Sequence, residues 1–117
     1  MLYWIFDLDY TLYDIPKEIG FDYKLLKNDT QLNYLLKMLP FKKYIFTNGT
    51  FSHGLVCLDK MNIINNFEKI IARDTITDLK PNFSSYKKFI NLATIKDKDK
   101  CVFFEDSIDN LIQAKIQ

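Results

Sequence analysis

Asp7 and Asp9 stand two positions apart at the end of an apolar run from Leu2 to Phe6. Two carboxylates held this close repel one another, and burial raises the cost unless a cation shares the site. An Asp-x-Asp pair at the tip of a strand therefore fits two kinds of chemistry. It can hold a metal ion, or it can pair a nucleophile with a carboxylate that moves protons. Other polar groups at the ends of apolar runs or beside a proline could join it: Thr47-Asn48, Lys80 ahead of Pro81, and Glu105-Asp106. His53, the single histidine, falls in the first turns of the helix expected after Thr47-Asn48. A place at the rim or surface is expected for it rather than acid–base work.

The elements that must carry these groups alternate. Leu2 to Phe6 reads as a strand buried on both faces. Residues 14–28 hold Pro16 and Gly20 without a strong period, so a loop with a helical turn is expected. Thr30 is expected to cap a helix running to about Leu39, with Leu32, Leu35, Leu36 and Leu39 on its inward face. Tyr44 to Thr47 forms a second strand, and residues 51–61 a helix turning Leu55, Leu58 and Met61 inward. A weaker strand at 69–72 and a helix at 84–92 carrying Tyr86, Phe89 and Ile90 come next. A strand from Cys101 to Phe104 and a helix from Ile108 to Ile116 close the chain. The alternation predicts an α/β fold, a Rossmann-like parallel sheet of about four strands flanked by helices on both faces. In such sheets ligands bind beyond the carboxyl ends of the strands. Asp7 with Asp9, Thr47-Asn48 and Glu105-Asp106 all fall at that end, on three strands, and are expected to converge.

Bulk properties narrow the function classes. The 117 residues make one domain, 1–117, and a hydrophobic content of 48% with 15% aromatic residues is ample for one core. A formal net charge of +1 gives no electrostatic reason to expect nucleic acid or an anionic membrane as partner. No apolar stretch nears the roughly 20 residues that span a bilayer. Met1 leads directly into a strand with no charged leader, so a secretory signal is not expected and a cytoplasmic location is. Cys57 and Cys101 are read as reduced thiols rather than a metal motif.

Taken together, the motifs resemble those of the haloacid dehalogenase superfamily. Asp7-Leu8-Asp9-Tyr10-Thr11 is similar to its first motif, Thr47-Asn48 to its second and Lys80-Pro81 to its third. Glu105-Asp106-Ser107-Ile108-Asp109-Asn110 is similar to its fourth. The flavour of Trp4-Ile5-Phe6-Asp7-Leu8-Asp9 and Phe103-Phe104-Glu105-Asp106-Ser107 is nearest the pyrimidine 5′-nucleotidase-like branch. The resemblance implies a Mg²⁺-dependent phosphomonoester hydrolase in which Asp7 attacks phosphorus and forms an aspartyl-phosphate. It implies Asp7, Asp106 and the backbone carbonyl of Asp9 as metal ligands, with the Asp9 side chain as acid and then base. Lys80 would neutralise charge, Thr47 and Asn48 would bind phosphate oxygens, and Glu105, Ser107 and Asn110 would support the site from behind. Asp9 also makes dehalogenation improbable, because the dehalogenases lack an acid there. Asn110 stands where many relatives have Asp.

Two departures from the family bear on substrate. Only residues 10–29 are free to form a flap and minimal lid, so an open site is expected. That suits a bulky substrate such as a phosphoprotein or a polynucleotide end, or needs a neighbouring subunit as lid, whereas the motif flavour points to a nucleotide. A non-enzymatic phosphate-binding or regulatory domain is the alternative of another class. The final strand of the family's core is expected to be missing, which would leave the edge from Cys101 to Phe104 open to a second copy of the chain.

Overall fold

The computed structural model describes residues 2–15, 18–96 and 100–105, together with 110, 112 and 114. Leu2–Phe6 (β1) is apolar throughout because it lies inside the sheet. It pairs in parallel with Lys42–Phe46 (β2) on one side and Lys100–Phe104 (β4) on the other. Lys69–Ile71 (β3) pairs in parallel with β2, so the order is β3-β2-β1-β4. Among the described residues β4 pairs with β1 alone. This is the α/β architecture expected from the alternation.

Strand alternation divides the core between the two faces. Phe6 and Ile45 point to one face with Leu36 of Thr30–Met38 (α1) and Cys57 and Leu58 of Phe51–Lys60 (α2). Tyr3, Ile5, Tyr44 and Phe46 point to the other, against Tyr86, Phe89 and Ala93 of Phe83–Ala93 (α4). The rings of Phe46 and Phe89 stack with centroids 4.5 Å apart. A four-residue helical turn, Arg73–Ile76 (α3), lies between β3 and α4 and is too short to show a sequence period. Among the described residues no helix is long and apolar enough to cross a membrane.

Some local expectations are corrected. Asp29, not Thr30, caps α1 by accepting from the Leu32 N–H at 2.9 Å. Leu35 is exposed, because only a narrow stripe of α1 through Leu32 and Leu36 is covered. Leu55 is also exposed, since α2 packs through Gly54, Cys57, Leu58 and Met61. Gly54 sets that choice: a Cβ there would lie 3.2 Å from Cγ2 of Ile70, so its absence lets α2 approach the sheet. The expected helix from Ile108 to Ile116 falls largely outside the described residues.

Candidate active site

The chain runs from β1 outward through β2 and β3, then returns to the far side of β1 as β4. The strand order therefore reverses between β1 and β4, the place where open α/β sheets bind ligands. Asp7 leaves the tip of β1 with its N–H on the Phe104 carbonyl at 2.8 Å, which puts it beside Glu105 at the end of β4. Thr47 leaves β2 with its N–H on the Ile71 carbonyl at 3.0 Å. Backbone ladder bonds thus hold these side chains along one edge.

Lys80 supplies the positive charge at this edge from the loop between α3 and α4. Its Nζ lies 3.3 Å from Oδ1 of Asp7 and 2.6 Å from Oε2 of Glu105, and donates to the Phe46 carbonyl at 2.7 Å. The side chain is only 3% exposed, so these partners see little screening. Asn48 anchors the loop: its Oδ1 accepts from the Lys80 N–H at 2.7 Å and its Nδ2 donates to the Lys80 carbonyl at 3.0 Å. Both ends of the Asn48 amide, expected on phosphate, are thus spent on the Lys80 backbone. Asp78 orders the same loop by accepting from the Leu79 N–H, the Asn82 amide and the Ser84 hydroxyl, with Lys88 at 3.5 Å. Those hydrogen bonds, Ser84 foremost, hold its carboxyl well below the usual range. Behind the site, Nδ2 of Asn110 donates to Oε1 of Glu105 at 3.2 Å, and the Tyr86 hydroxyl donates to the Asn110 carbonyl at 2.7 Å.

Asp9 is set apart from this cluster. Its Oδ1 accepts from the Tyr13 hydroxyl at 2.6 Å and meets Nε2 of His53 at 2.7 Å. The Tyr13 hydroxyl is pushed well above its ordinary pKa, first by burial and then by its bond to Asp9, so it remains a donor. Nδ1 of His53 in turn meets the Tyr23 hydroxyl at 2.7 Å. Thr50 caps α2 by accepting from the His53 N–H, so the histidine faces the strand ends from the first turn. Gly49 fits between these groups. A Cβ there would stand 3.1 Å from Cδ2 of His53, 3.3 Å from Oγ1 of Thr47 and 3.5 Å from Oδ2 of Asp9. Oγ1 of Thr47 accepts from the Gly49 N–H at 3.0 Å, which leaves its own hydrogen to donate.

The structure brings together Asp7, Lys80, Glu105 and Asn110, with Asp9, Thr47 and Asn48 along the same edge. Asp106 and Ser107 lie outside the described residues. His53 is at the rim, 20% exposed, but it is bonded to Asp9 rather than idle. Tyr13, Tyr23 and the anchoring role of Asn48 have no counterpart in the motif reading. A signal for His53 existed: a helix that begins at a strand's carboxyl end turns its first residues toward the site. Around His53 an aromatic wall continues. Phe21 meets the His53 ring at 5.3 Å, Tyr23 at 5.0 Å and Tyr13 at 5.5 Å between centroids.

Comparison with known proteins agrees with this fold. The sequence model of the haloacid dehalogenase-like hydrolases matches residues 17–116. That match begins beyond Asp7 and Asp9, which stand on the geometry alone. The structure is similar to a candidate β-phosphoglucomutase from Thermotoga maritima. The TM-score is 0.76 at 18% identity, over 99% of this chain and 81% of that one. It is also similar to the core domain of a candidate phosphoglycolate phosphatase from Streptococcus pneumoniae. There the TM-score is 0.60 at 15% identity, over 98% of this chain and 75% of that one.

Proposed function

Because this chain belongs to the haloacid dehalogenase-like hydrolases, as the match over residues 17–116 establishes, we propose that it hydrolyses a phosphomonoester through Asp7. The observation that carries this reading is the Asp7–Lys80–Glu105 cluster at the point where strand order reverses, with Asp9 held separately by two partners.

Oδ of Asp7 attacks phosphorus as the ester P–O bond breaks, and Asp9 gives its proton to the leaving oxygen. Water then attacks the aspartyl-phosphate, Asp9 takes the water's proton, and Asp7 is released with phosphate. Lys80 offsets charge on the nucleophile and the transferring group, and the Thr47 hydroxyl is free to donate to a phosphate oxygen. Tyr13 and His53 keep Asp9 aimed while its charge changes. The donor set also fits Mg²⁺. Two carboxylates, Asp7 and Glu105, face one ammonium here, and the groups are oxygens of the kind Mg²⁺ selects. Asp7, the Asp9 backbone carbonyl and Asp106 would hold the ion, which supplies charge neutralisation for the attack of one anion on another.

The substrate proposed is a phosphomonoester with a planar leaving group, such as a nucleoside monophosphate. Phe21 and Tyr23 are each 36% exposed while they pack around the His53 that contacts Asp9. A ring carried on the leaving group could stack on that wall. The two similar structures bear the names of phosphoryl-handling enzymes, which is consistent with the reaction class.

The test is hydrolysis of an aryl phosphate with Mg²⁺. Turnover by wild type, its loss in Asp7→Asn and Asp9→Asn, and its loss on chelation are expected. Activity retained in Asp7→Asn refutes the mechanism.

A further inference from the structure

Cys57 takes no part in the reaction just described, yet its Sγ lies 3.6 Å from Nε2 of His53. That nitrogen is the atom that meets Asp9. His53 and Cys57 are four apart on α2 and so share one helix face. The ligand atoms of Asp9, His53 and Cys57 all lie within 4.8 Å of one another. We propose that these three side chains form a site for a thiophilic divalent cation such as Zn²⁺, and that filling it switches the enzyme off.

The three donor atoms are near enough for one ion to reach them once the side chains rotate. Bonds of about 2.0 Å to nitrogen and about 2.3 Å to sulfur put those two ligands about 3.5 Å apart. Sγ is 3.6 Å from Nε2 and 3.9 Å from Nδ1, so it lies over the imidazole face, and the ring must turn to bring the Nε2 lone pair and Sγ onto one ion. Nε2 and Oδ1, now 2.7 Å apart through a hydrogen bond, must open to about 3.3 Å, a small rotation of two part-exposed side chains. The surroundings suit ligation too. A histidine bound to a metal donates its other N–H to an oxygen, and the Tyr23 hydroxyl is in place at Nδ1. The Tyr13 hydroxyl likewise supports the carboxylate.

The proton account closes. The His53 hydrogen moves from Nε2 to Nδ1, where Tyr23 accepts it, and Cys57 releases its thiol proton to solvent. Burial and Asp9 push that thiol up to about 12, so it is neutral before the ion arrives and its proton leaves on binding, together with the proton of Asp9 where Asp9 carries one. Nitrogen and sulfur donors distinguish this site from the all-oxygen set proposed for Mg²⁺.

Binding stands independently of the reaction; inhibition rests on the phosphatase reading, because an ion on Asp9 removes the carboxylate that protonates the leaving oxygen. Co²⁺ added in excess Mg²⁺ separates the two. Wild type should take up one Co²⁺ per chain with a thiolate-to-cobalt absorption band. Cys57→Ser and His53→Gln should lose the band, Cys101→Ser should keep it, and Tyr23→Phe should bind about tenfold or more weakly. His53→Gln, at a part-exposed position, serves if the buried Cys57→Ser does not fold. No band in wild type, or one that survives Cys57→Ser, overturns the site. In the aryl phosphate assay Zn²⁺ should inhibit wild type at least tenfold more than Cys57→Ser. Equal inhibition overturns the switch. Absence of turnover in wild type defeats the phosphatase reading while the cobalt band still reports on the site.

Discussion

Oδ1 of Asp9 is shared between Tyr13 and His53, and Gly49 leaves those groups no spare room. Gly49→Ala should therefore disturb geometry more than stability, because the clash falls on Thr47 and His53 rather than on the core. A fall of about tenfold to a hundredfold in kcat/KM is expected, with the melting temperature little changed. Steady-state kinetics beside thermal denaturation checks this. Phe21→Ala probes the aromatic wall: KM for a nucleoside monophosphate should rise about tenfold, the weight of one lost stacking contact. KM for glycerol phosphate, which has no ring, should stay the same. At this scale Asp7 and Asp9 were legible from residue type and spacing, and Lys80 only through the resemblance of Lys80-Pro81 to a family motif. Tyr13 and Tyr23 were not, since nothing local separates a tyrosine that holds a carboxylate from one that fills a core. His53 was legible in place, at the rim, but its bond to Asp9 spans 44 positions of chain.

The loop between α3 and α4 aims Lys80, and it is held by side chains that never reach the substrate. Asn48→Ala removes both bonds to the Lys80 backbone and should cost about 1–3 kcal/mol of stability. It should lower kcat with little change in KM; a change in KM alone would mark Asn48 as a phosphate contact instead. Phe89 anchors α4 against Phe46, which sits next to Thr47 and gives its carbonyl to Lys80. Phe89→Ala should cost about 3–5 kcal/mol in chemical denaturation. Element order and type were readable because each long helix carries its own apolar period. The inward faces were read less well. Leu35 and Leu55 look like core residues by spacing, but where the sheet meets each helix decides which stripe is covered.

For the whole molecule, burial of titratable groups sets an alkaline limit. The Tyr86 hydroxyl, buried against the Asn110 carbonyl, is pushed up to about 12, first by burial and then by Glu105 and Asp7. An unfolded tyrosine titrates near 10, so between these values the unfolded state binds fewer protons than the folded one. The Tyr86 contribution to stability should be level below pH 10 and decline from there to about pH 12. Thermal denaturation across that range should show the slope, and Tyr86→Phe should reduce it. The parallel sheet, its flanking helices and the gathering of acids at strand ends were determined by sequence alone, through local periods and the rule that ligands lie beyond the carboxyl edge. Asp7-x-Asp9 was visible in the same way. Tertiary structure alone decided what each acid faces: Lys80 and Glu105 beside Asp7, Tyr13, His53 and Cys57 around Asp9. The physical reason is distance along the chain. Apart from Tyr13, these partners come from other elements, and they meet only when strand order reverses and α2 closes on the sheet through Gly54.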